Sequence, residues 1–497
     1  MAVGEGRKKI IIDKEVNEDT ILDILTEAWN THLENIKDMR YLIKYYKGKQ
    51  DIQSKRPVNN TNINNKVSIN YANSSIRNIV GYTFGKPIQV IQRKTKHKKD
   101  IQKVVDIMEY ENFSTTDNEV ATMVAITGIG YFCTLPTEEI LSSYMPDMPI
   151  KNVALNNYNT FVVQSARMGN PDLLSCTYYT DKINTYFLCF TETEIYRITC
   201  RGRNSLSRTG VISKEVDINP IGLNPINMVI NNPFIMGDFE TAISILNAIN
   251  KIASNSMDDI DMVIQSLLVI INAEINNENV DKIKEKRILE IIGAAGQNVD
   301  AKFIYQQLDS AGMQNIREYV EEAYKEIIGI PDRKTRGGGG GDTGDAVKLR
   351  DGWADIEIVA RNKESYFKLA KKKQIAVVIA ILQNLGYISK DLTLSEIDVK
   401  FSRNKNDNLQ SKAQSYSTII GTKTIAPEDA LEMADMTTDV TEVTQRGLKF
   451  WEEQEQKSIE TNGNGDNQNN QANNNSNNIN NTDSTNNNSN QNSENNG

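Results

Sequence analysis

The chain has 497 residues, with 56 Lys and Arg against 65 Asp and Glu, and its formal net charge at neutral pH is −9. This length suggests about three domains. The acidic balance argues against a protein that wraps tightly around nucleic acid, because such proteins are normally basic. No stretch reaches about 18 apolar residues, and no secretory signal is visible at the N-terminus, so we expect neither a membrane span nor export.

The few cysteines and histidines limit the available chemistry. The cysteines show no Cys-x-x-Cys spacing and lie among apolar or β-patterned residues, which indicates reduced core thiols of a cytosolic protein. They are Cys133, Cys176, Cys189 and Cys200. Neither His32 nor His97 has a companion at ligand spacing, so we expect no metal, no cofactor and no histidine-assisted catalysis. His97 lies in the basic run 93–99, which is interpreted as a solvated loop, with a DNA-binding patch as the alternative.

The N-terminal part is expected to contain two helices and a strand. Apolar residues recur at near-helical spacing over 18–47 and predict one helix. A polar, Asn-rich loop follows at 48–66, and a second helix at 67–80 is expected to stop at Gly81. The turn after this glycine leads into a strand at 88–92.

Residues 128–236 are expected to form mostly β-structure. Runs of β-branched and aromatic residues alternate there with turn residues, as at 161–163 and 177–179. Two such runs, 184–190 and 194–200, are separated by a short polar turn. This pattern predicts a β-hairpin.

A long helix is predicted over 238–266, with Asp238 as a suitable N-cap. Its apolar residues are spaced by three and four positions, which gives a seam with a period of nearly 3.5 residues. One interpretation is a helix in a globular core, and the other is a helix that packs against copies of itself in an oligomer. The seam residues are Ala242, Leu246, Ile249, Ala253, Ser256, Ile260, Val263 and Leu267.

A short mixed α/β insert is expected at 267–310, with apolar runs at 267–271 and 288–292. Helical spacing returns at 311–328. The apolar face of this second helix consists of Met313, Ile316, Val320, Ala323 and Ile327. The two helices and the insert therefore predict a helical hairpin that carries a small head.

The most informative segment is the loop that follows this hairpin. It contains five consecutive glycines, and such a run cannot hold one conformation by itself. It is not a Walker-type phosphate loop, because no Lys-Ser or Lys-Thr follows the glycines. A mobile, cationic loop between two helices is suited to touch a partner that moves past it. Its residues of interest are Arg333, Lys334, Arg336, Gly337, Gly338, Gly339, Gly340, Gly341, Asp342 and Thr343.

The C-terminal part is predicted to be largely helical. Residues 345–385 are predicted to form one helix of about 60 Å, and one small core cannot bury the apolar face of a helix of that length. A strand is expected at 394–401, and short helices at 409–456, one of them near Pro427. From 458 to 497 the chain is dominated by Asn, Ser, Gln and Thr, so we expect disorder. The elements together predict an α+β fold class.

Four segments in this order resemble the portal proteins of tailed bacteriophages, in the branch typical of long-tailed phages of Gram-positive hosts. The first runs from Asn70-Tyr71 through Gly-Tyr-Thr-Phe-Gly-Lys-Pro at 81–87, and the second is Leu-Asn-Asn-Tyr-Asn-Thr-Phe-Val-Val at 155–163. The third is Asn-Asn-Pro-Phe-Ile-Met-Gly-Asp at 231–238, which opens a long helix. The fourth is Gly-Asp-Ala-Val-Lys at 344–348, with Val-Lys-Phe-Ser-Arg-Asn downstream at 399–404.

The resemblance implies a subunit with a β-rich wing, a helical-hairpin stem that carries a small clip, a long central helix and a helical crown. Such subunits assemble into a ring, usually of about twelve copies, around a channel for double-stranded DNA. The implied parts are the wing at 1–237, the stem helices at 238–266 and 311–330, the clip at 267–310, the tunnel loop at 331–343, the long helix and a returning wing strand at 344–405, the crown at 406–457 and a disordered tail at 458–497.

The resemblance also implies partners and site residues. The ring occupies one capsid vertex of the virion after assembly in the host cytoplasm, and it docks the terminase packaging motor and later a head-completion or adaptor protein. Capsid and scaffold proteins are further partners, and no membrane is involved. The tunnel-loop residues named above would face DNA. The residues expected to pack the stem are Leu246, Ile249, Ala253, Ile260, Val320 and Ala323.

Two other classes of function were weighed against the portal. One is a nucleotidyl transferase or hydrolase built on Asp258, Asp259 and Asp261. We expect these carboxylates on different faces of a helix, since residues one and two apart do not face each other, and we therefore predict no enzyme activity. The other is a non-portal capsid assembly or scaffold protein. A ring with a central hole in electron micrographs would favour the portal.

Overall fold

The computed structural model divides into two compact units, residues 1–407 and 408–497. In the first unit, helices and sheets alternate along the chain, and the second contains helices among its described residues. This mixture confirms the predicted α+β class. The residues that the structure describes are 5–57, 63–93, 96–137, 148–264, 267–271, 300–304, 310–330, 353–403, 409–422, 424–434, 436–437 and 440–463.

The first elements are a short strand and two helices. β1 (Ile10–Ile12) precedes α1 (Ile21–Tyr46), which confirms the helix predicted at 18–47. α2 (Tyr71–Phe84) begins at Asn70, whose side chain accepts a hydrogen bond from the Asn73 N–H. The prediction that this helix stops at Gly81 is wrong. The helix continues because Tyr82, Thr83 and Phe84 are buried, and this packing outweighs the low helix propensity of glycine.

Two further helices fill a stretch for which the sequence analysis predicted no element. After β2 (Gln89–Gln92), which matches the predicted strand, come α3 (Lys98–Tyr110) and α4 (Phe113–Thr127). The interpretation of 93–99 as a solvated loop is therefore wrong where α3 begins. His97 is not solvated either: its side chain is 11% exposed, and its Nδ1 lies 2.9 Å from the Glu396 carboxylate.

Two sheets confirm the β-rich stretch at 128–236. A three-stranded sheet has the order β10-β3-β4, and a six-stranded sheet has the order β1-β5-β6-β7-β8-β9. Within the larger sheet β1 pairs parallel to β5 and the other neighbours are antiparallel, including the predicted hairpin β7–β8. The strands are β3 (Ile129–Pro136), β4 (Ile150–Ala154), β5 (Thr160–Ser165), β6 (Asp172–Thr180), β7 (Asn184–Phe190), β8 (Glu194–Arg201), β9 (Val211–Ile218) and β10 (Ile226–Ile230).

One face of the six-stranded sheet is covered by α1. Leu25 and Trp29 of this helix pack in one cluster with buried residues of β5 to β8. This cluster is a core of its own, between one helix and one sheet. All four cysteines of the chain are buried, which confirms the prediction that they are core residues.

The helical hairpin follows the sheets. α5 (Ile243–Ile264) is preceded by a short 3₁₀ turn, and the antiparallel pair of β11 (Leu267–Ile271) and β12 (Asp300–Ile304) separates it from α6 (Ser310–Ile328). Asp238 does not cap α5, because its carboxylate is bound instead by Asn231 and Lys363. The second predicted apolar run of the insert, at 288–292, lies outside the described residues.

The long helix runs through the centre of the first unit. α7 (Trp353–Asn384) contributes buried residues to two core clusters, Phe367 to one and Leu382 to the other. Its predicted first turns, at 345–352, lie outside the described residues. β13 (Ile397–Lys400) then pairs antiparallel with β2, so the predicted strand at 394–401 is confirmed over its second half. A 3₁₀ turn forms its first half.

The second unit contains α8 (Leu409–Gly421), α9 (Pro427–Met433) and α10 (Val440–Gly463). The helix near Pro427 is confirmed. α10 is longer than the predicted short helices, and it extends six residues into the stretch from 458 that was expected to be disordered. Extending an existing helix costs far less than starting one, so the polar residues after 457 continue it. The rest of the predicted tail lies outside the described residues.

Candidate assembly and channel region

One face of each stem helix belongs to the core of its own chain. Leu246 and Ile249 of α5 are each 1% exposed, and Tyr324 and Ile328 of α6 are buried beside them. The Tyr324 hydroxyl lies 2.6 Å from Ser75 Oγ on α2. Two of the predicted stem-packing residues are therefore covered by their own subunit, and a role for them between copies stays a prediction.

The hairpin also carries apolar side chains that are exposed. On α6, Ile316 is 57%, Tyr319 72% and Ile327 52% exposed, at spacings that place them on one stripe of the helix. On α5, Met257 and the predicted stem residue Ile260 are also exposed, further along the same stripe as the buried Leu246 and Ile249. The predicted residues Ala253, Val320 and Ala323 are half-buried. Large side chains repeated along one exposed stripe mark an interaction surface.

A polar ladder follows a second face of α5, beside its apolar stripe, and holds an extended segment, residues 63–70, which we call the strap. The Asn250 amide oxygen accepts the Ile69 N–H at 2.8 Å. One turn further along the helix, Ser254 Oγ accepts the Val67 N–H at 2.9 Å. Each turn of the helix thus satisfies a backbone group of the strap, which has no sheet or helix partner of its own.

The end of this ladder involves the acidic residues that were weighed as a catalytic site. The Asp258 carboxylate accepts hydrogen bonds from the Asn65 N–H and from Lys55 Nζ, while Asp261 accepts from the Asn65 side chain. The expectation that these carboxylates lie on different faces is wrong for this pair, because residues three apart share one face. One oxygen of Asp258 and one of Asp261 therefore bind the strap, and the other oxygen of Asp258 binds Lys55.

The segment 231–238 connects the sheet to the stem through a crowded passage. Ile235 has a positive φ of 55°, and its carbonyl oxygen would lie 2.2 Å from a Cβ placed on Gly128, whose φ is +84°. A Cβ on Gly237 would lie 2.2 Å from the Ile126 carbonyl oxygen. Any larger residue at either glycine would collide with backbone, so the path of this segment depends on glycine at both positions.

Buried ion pairs connect this passage to other parts of the chain. Lys363 of α7 donates to the Asp238 carboxylate at 2.6 Å, and both side chains are 9% exposed. Arg7, near the start of the chain, forms a buried ion pair with Glu240, two residues further along. Buried charges are tolerated when they are paired and hydrogen-bonded, as these are.

Further buried polar contacts hold the long helix. Lys371 donates to both oxygens of Asp117 on α4, at 2.6 and 2.9 Å, and its ammonium lies 5.0 Å from the centre of the Phe113 ring. Nearer the start of α7, Glu357 accepts hydrogen bonds from Arg403 and Tyr82. Burial opposes ionisation of Glu357, but these partners outweigh it and lower its pKa to about 2.

The glycine-rich loop lies outside the described residues, but its two attachment points do not. α6 ends at Gly329, which has a φ of +68°. The Gly329 N–H donates to Glu326 and the Ile330 N–H to Lys325, which is the hydrogen-bond pattern of a Schellman cap. A Cβ on Gly329 would lie 2.9 Å from Val359, so α6 ends against the first turns of α7. The ten predicted tunnel-loop residues, 333–334 and 336–343, all lie between these two points.

Both histidines are bound by other groups of the chain. His32 is buried, and its Nε2–H donates to the Tyr158 carbonyl at 3.0 Å. Burial lowers the pKa of His32 to about 4, although this hydrogen bond partly opposes the shift. No cluster of three potential metal ligands occurs among the described residues. Within the same part of the chain, no helix is long and apolar enough to cross a membrane.

Sequence reasoning missed the ladder and the ion pair at the start of the stem. One signal for the ladder is present: Asn250, Ser254 and Asp258 recur every four residues, which places them on one face of the helix. No comparable signal exists for Lys363 and Asp238, because 125 residues separate them and many charged residues lie between.

Comparisons with known proteins bear on the identity of the chain. The family model described as "Phage portal protein, SPP1 Gp6-like" matches residues 25–469. None of the curated proteins matches the chain.

The chain is similar to two solved structures from gene transfer agent particles. With the neck of an empty particle computed with C6 symmetry it shares 13% identity and a TM-score of 0.44, covering 73% of this chain and 89% of that chain. With the virion of a native particle it shares 12% identity and a TM-score of 0.44, covering 80% and 93%. The family model covers most of the sequence and confirms the resemblance found there: the chain belongs to the SPP1 Gp6-like family of phage portal proteins.

Proposed function

We propose that this portal protein assembles through its stem into a closed ring of about twelve copies around a channel for double-stranded DNA. The observation that carries the proposal is the second apolar stripe on α6. One face of α6 is buried in the core of its own chain, through Tyr324 and Ile328. The side chains of Ile316, Tyr319 and Ile327 are exposed. A helix with two apolar faces needs two partners, and a single chain supplies one of them.

The kind of assembly follows from the asymmetry of these surfaces. The exposed stripe on α6 differs in sequence from the exposed residues of α5, Met257 and Ile260. Contact between two different patches on successive copies is head-to-tail, and such contacts close into rings when the rotation permits. In this arrangement the stem helices of neighbouring copies line the channel side by side.

The loop between α6 and α7 would face the channel. Its cations Arg333, Lys334 and Arg336 would meet phosphates transiently, and Gly337–Gly341 would let the backbone follow the moving duplex. The acidic balance of the whole chain supports this function. Each neutralised phosphate adds affinity through counterion release, so a strongly basic channel would hold the DNA in place.

The finer assignments also rest on family membership. The ring would occupy one capsid vertex of the virion after assembly in the host cytoplasm. The terminase packaging motor would dock on it during filling, and a head-completion or adaptor protein afterwards. We infer a mechanical role and not a catalytic one: Asp258 and Asp261 bind the strap and Lys55, and His32 and His97 bind other protein groups.

The test measures the mass and shape of the purified full-length protein. We expect rings with a central hole in negative stain, with end-on views that count the copies. Ile316→Glu and Tyr319→Glu should each leave monomers that are still folded, because both side chains are exposed in one chain. The matched control is Ile183→Glu, at a residue 68% exposed in the turn between β6 and β7, which should leave the rings intact. A stable monomer of the unmutated chain at micromolar concentration would contradict the proposal.

A further inference from the structure

Two buried cysteines lie opposite each other in the six-stranded sheet. Cys176 of β6 and Cys189 of β7 are partners in the antiparallel register. Both residues are 0% exposed, and their Sγ atoms are 2.7 Å apart. The neighbouring thiol of Cys200, on β8, is buried in the same cluster but is paired in register with Val211.

The position of this cysteine pair between β6 and β7 suits a disulfide bond. In the turn between β6 and β7 the Asp181 N–H donates to the Asn184 carbonyl, so Asp181 and Asn184 are a hydrogen-bonded pair. Hydrogen-bonded and non-hydrogen-bonded pairs alternate along an antiparallel ladder, which makes Cys176–Cys189 a non-hydrogen-bonded pair. Such pairs have Cα atoms about 4.5 Å apart, within the range of about 4.4–6.8 Å that a disulfide requires.

We propose that Cys176 and Cys189 form a latent disulfide site, which is open in the reducing cytosol and is closed by a peroxide once the protein is outside the cell. The site itself stands on the geometry of the sheet. Only the occasion for its oxidation rests on the proposed function, because a virion protein is assembled in the cytosol and then leaves it.

The reaction balances with hydrogen peroxide as the oxidant. One thiol sulfur attacks a peroxide oxygen, the O–O bond breaks, and a sulfenic acid and one water form. The sulfur of the second cysteine then attacks the sulfenic sulfur, the S–S bond forms, and the hydroxyl group leaves as a second water. Both thiol hydrogens end in water, both sulfurs are oxidised, and the peroxide is reduced.

Burial determines which reagents can reach the site. Burial raises the pKa of the Cys176 thiol, so little thiolate is present. Burial also keeps bulky reagents away from the sulfur. A peroxide is small and enters when the hairpin opens locally. The second sulfur already lies beside the first, so a sulfenic acid formed there would be captured before it is oxidised further. The product would cross-link β6 to β7 and stabilise the sheet in the free particle.

The experiment treats the full-length protein with hydrogen peroxide, then unfolds it and alkylates the remaining thiols. We expect the mass before alkylation to fall by two hydrogen atoms, the peptides with Cys176 and Cys189 to be protected, and the melting temperature to rise by a few degrees, with reversal by dithiothreitol. Cys200→Ser should behave like the unmutated protein, whereas Cys176→Ser and Cys189→Ser should each abolish the cross-link.

Two outcomes would overturn the proposal. One is full alkylation of both cysteines after an exposure long enough for the amides of β6 and β7 to exchange with deuterium. The other is oxidation of a single cysteine to a sulfinic acid without a cross-link. Neither outcome depends on ring formation. Mass measurements on the same sample determine separately whether rings form. A failure of the proposed function can therefore be distinguished from a failure of the disulfide site.

Discussion

Lys363 and Asp238 join the long helix to the start of the stem. The Lys363 ammonium lies 2.6 Å from the Asp238 carboxylate and 2.5 Å from the Asn231 amide oxygen. The glycine-rich loop runs from the end of α6 to the start of α7, so this contact connects the helix that follows the loop with the segment that opens α5.

Removal of the lysine should strongly destabilise the subunit. Lys363→Met leaves the Asp238 carboxylate buried without its cation, and breaking a buried pair in this way costs about 3–5 kcal/mol. The control is Lys373→Met, which removes a more exposed pair with Asp172 and should cost about 0–1 kcal/mol. Denaturant unfolding gives both values. Equal losses in the two variants would show that the buried pair has no special role.

The strap ladder predicts different effects for two serines on one helix. Ser254→Ala removes the acceptor for the Val67 N–H and should cost about 1–3 kcal/mol, because that donor is left unsatisfied. Ser256→Ala removes a bond to the Ile252 carbonyl of its own helix and a weak contact with Met313 Sδ at 3.8 Å, and should change stability little. Hydrogen exchange at the strap amides checks the mechanism: exchange should accelerate in the first variant alone.

Two glycines should respond to alanine with opposite signs. Gly128→Ala forces an alanine into φ +84° and against the Ile235 carbonyl, and the conformation alone costs about 1–3 kcal/mol. Gly81→Ala lies inside α2, with nothing within 4 Å of the new methyl group, and should stabilise the protein by about 0.5–1 kcal/mol. Thermal unfolding of both variants tests this, and destabilisation by Gly81→Ala would contradict it.

His32 should make stability depend on pH. Its folded pKa of about 4 lies below the ordinary value of 6.5, so the unfolded chain binds a proton between these limits and the folded chain does not. Stability from this group is therefore complete above pH 6.5 and falls as the pH decreases toward 4. We expect a loss of about 2 kcal/mol between pH 7 and pH 5. His32→Gln removes this contribution, so urea unfolding at both pH values should show a smaller loss in the variant.

The glycine-rich loop should affect DNA packaging and not ring stability. Shortening Gly337–Gly341 to two residues changes the loop-closure free energy by well under about 1 kcal/mol, since each doubling of length costs about 0.6 kcal/mol. Packaged DNA per particle should fall in this variant and in Arg336→Ala, while ring formation and melting stay unchanged. Arg167→Ala makes the same change of charge at an exposed ion pair in the sheet region, and normal packaging is expected there. Normal packaging in both loop variants would contradict a role in DNA contact and would show that the loop is only a spacer.

Elements with a strong local pattern were predictable from the sequence. α1 and the β7–β8 hairpin each follow a regular apolar spacing within one segment, and that spacing determines which face is buried. The spacing also predicted α6 as a helix, but Ile316 and Ile327 of its predicted apolar face are exposed. The prediction failed at Gly81 because the burial of Phe84 depends on α7, which is distant in sequence. The sequence analysis likewise interpreted Asp238 as a helix cap, since a carboxylate before an apolar run looks the same whether it binds a helix N-terminus or a distant lysine.

The candidate site was less predictable than the fold. Periodicity identified the apolar residues of both stem helices, but it did not separate those covered by the chain itself, such as Leu246, from exposed ones such as Ile260. That distinction depends on which helices pack nearby, and local sequence does not record it. Residues 63–66 of the strap were interpreted as a polar loop and residues 67–70 as the start of a helix, which is wrong because the helix begins at Tyr71. The hydrogen bonds of the strap are made by a helix that begins 173 residues after its last residue.

The buried pair of Arg7 and Glu240 sets an order of events during synthesis. These residues are 233 positions apart, and Gly6 lies against the Phe234 carbonyl beside them. Arg7 leaves the ribosome early and has no counter-ion until the first turn of the stem has also emerged. Contacts between such distant segments form late in folding, after the intervening chain has collapsed. We therefore expect the sheets to form before this contact closes, and in the proposed assembly a ring would grow only from subunits whose sheet region is already folded.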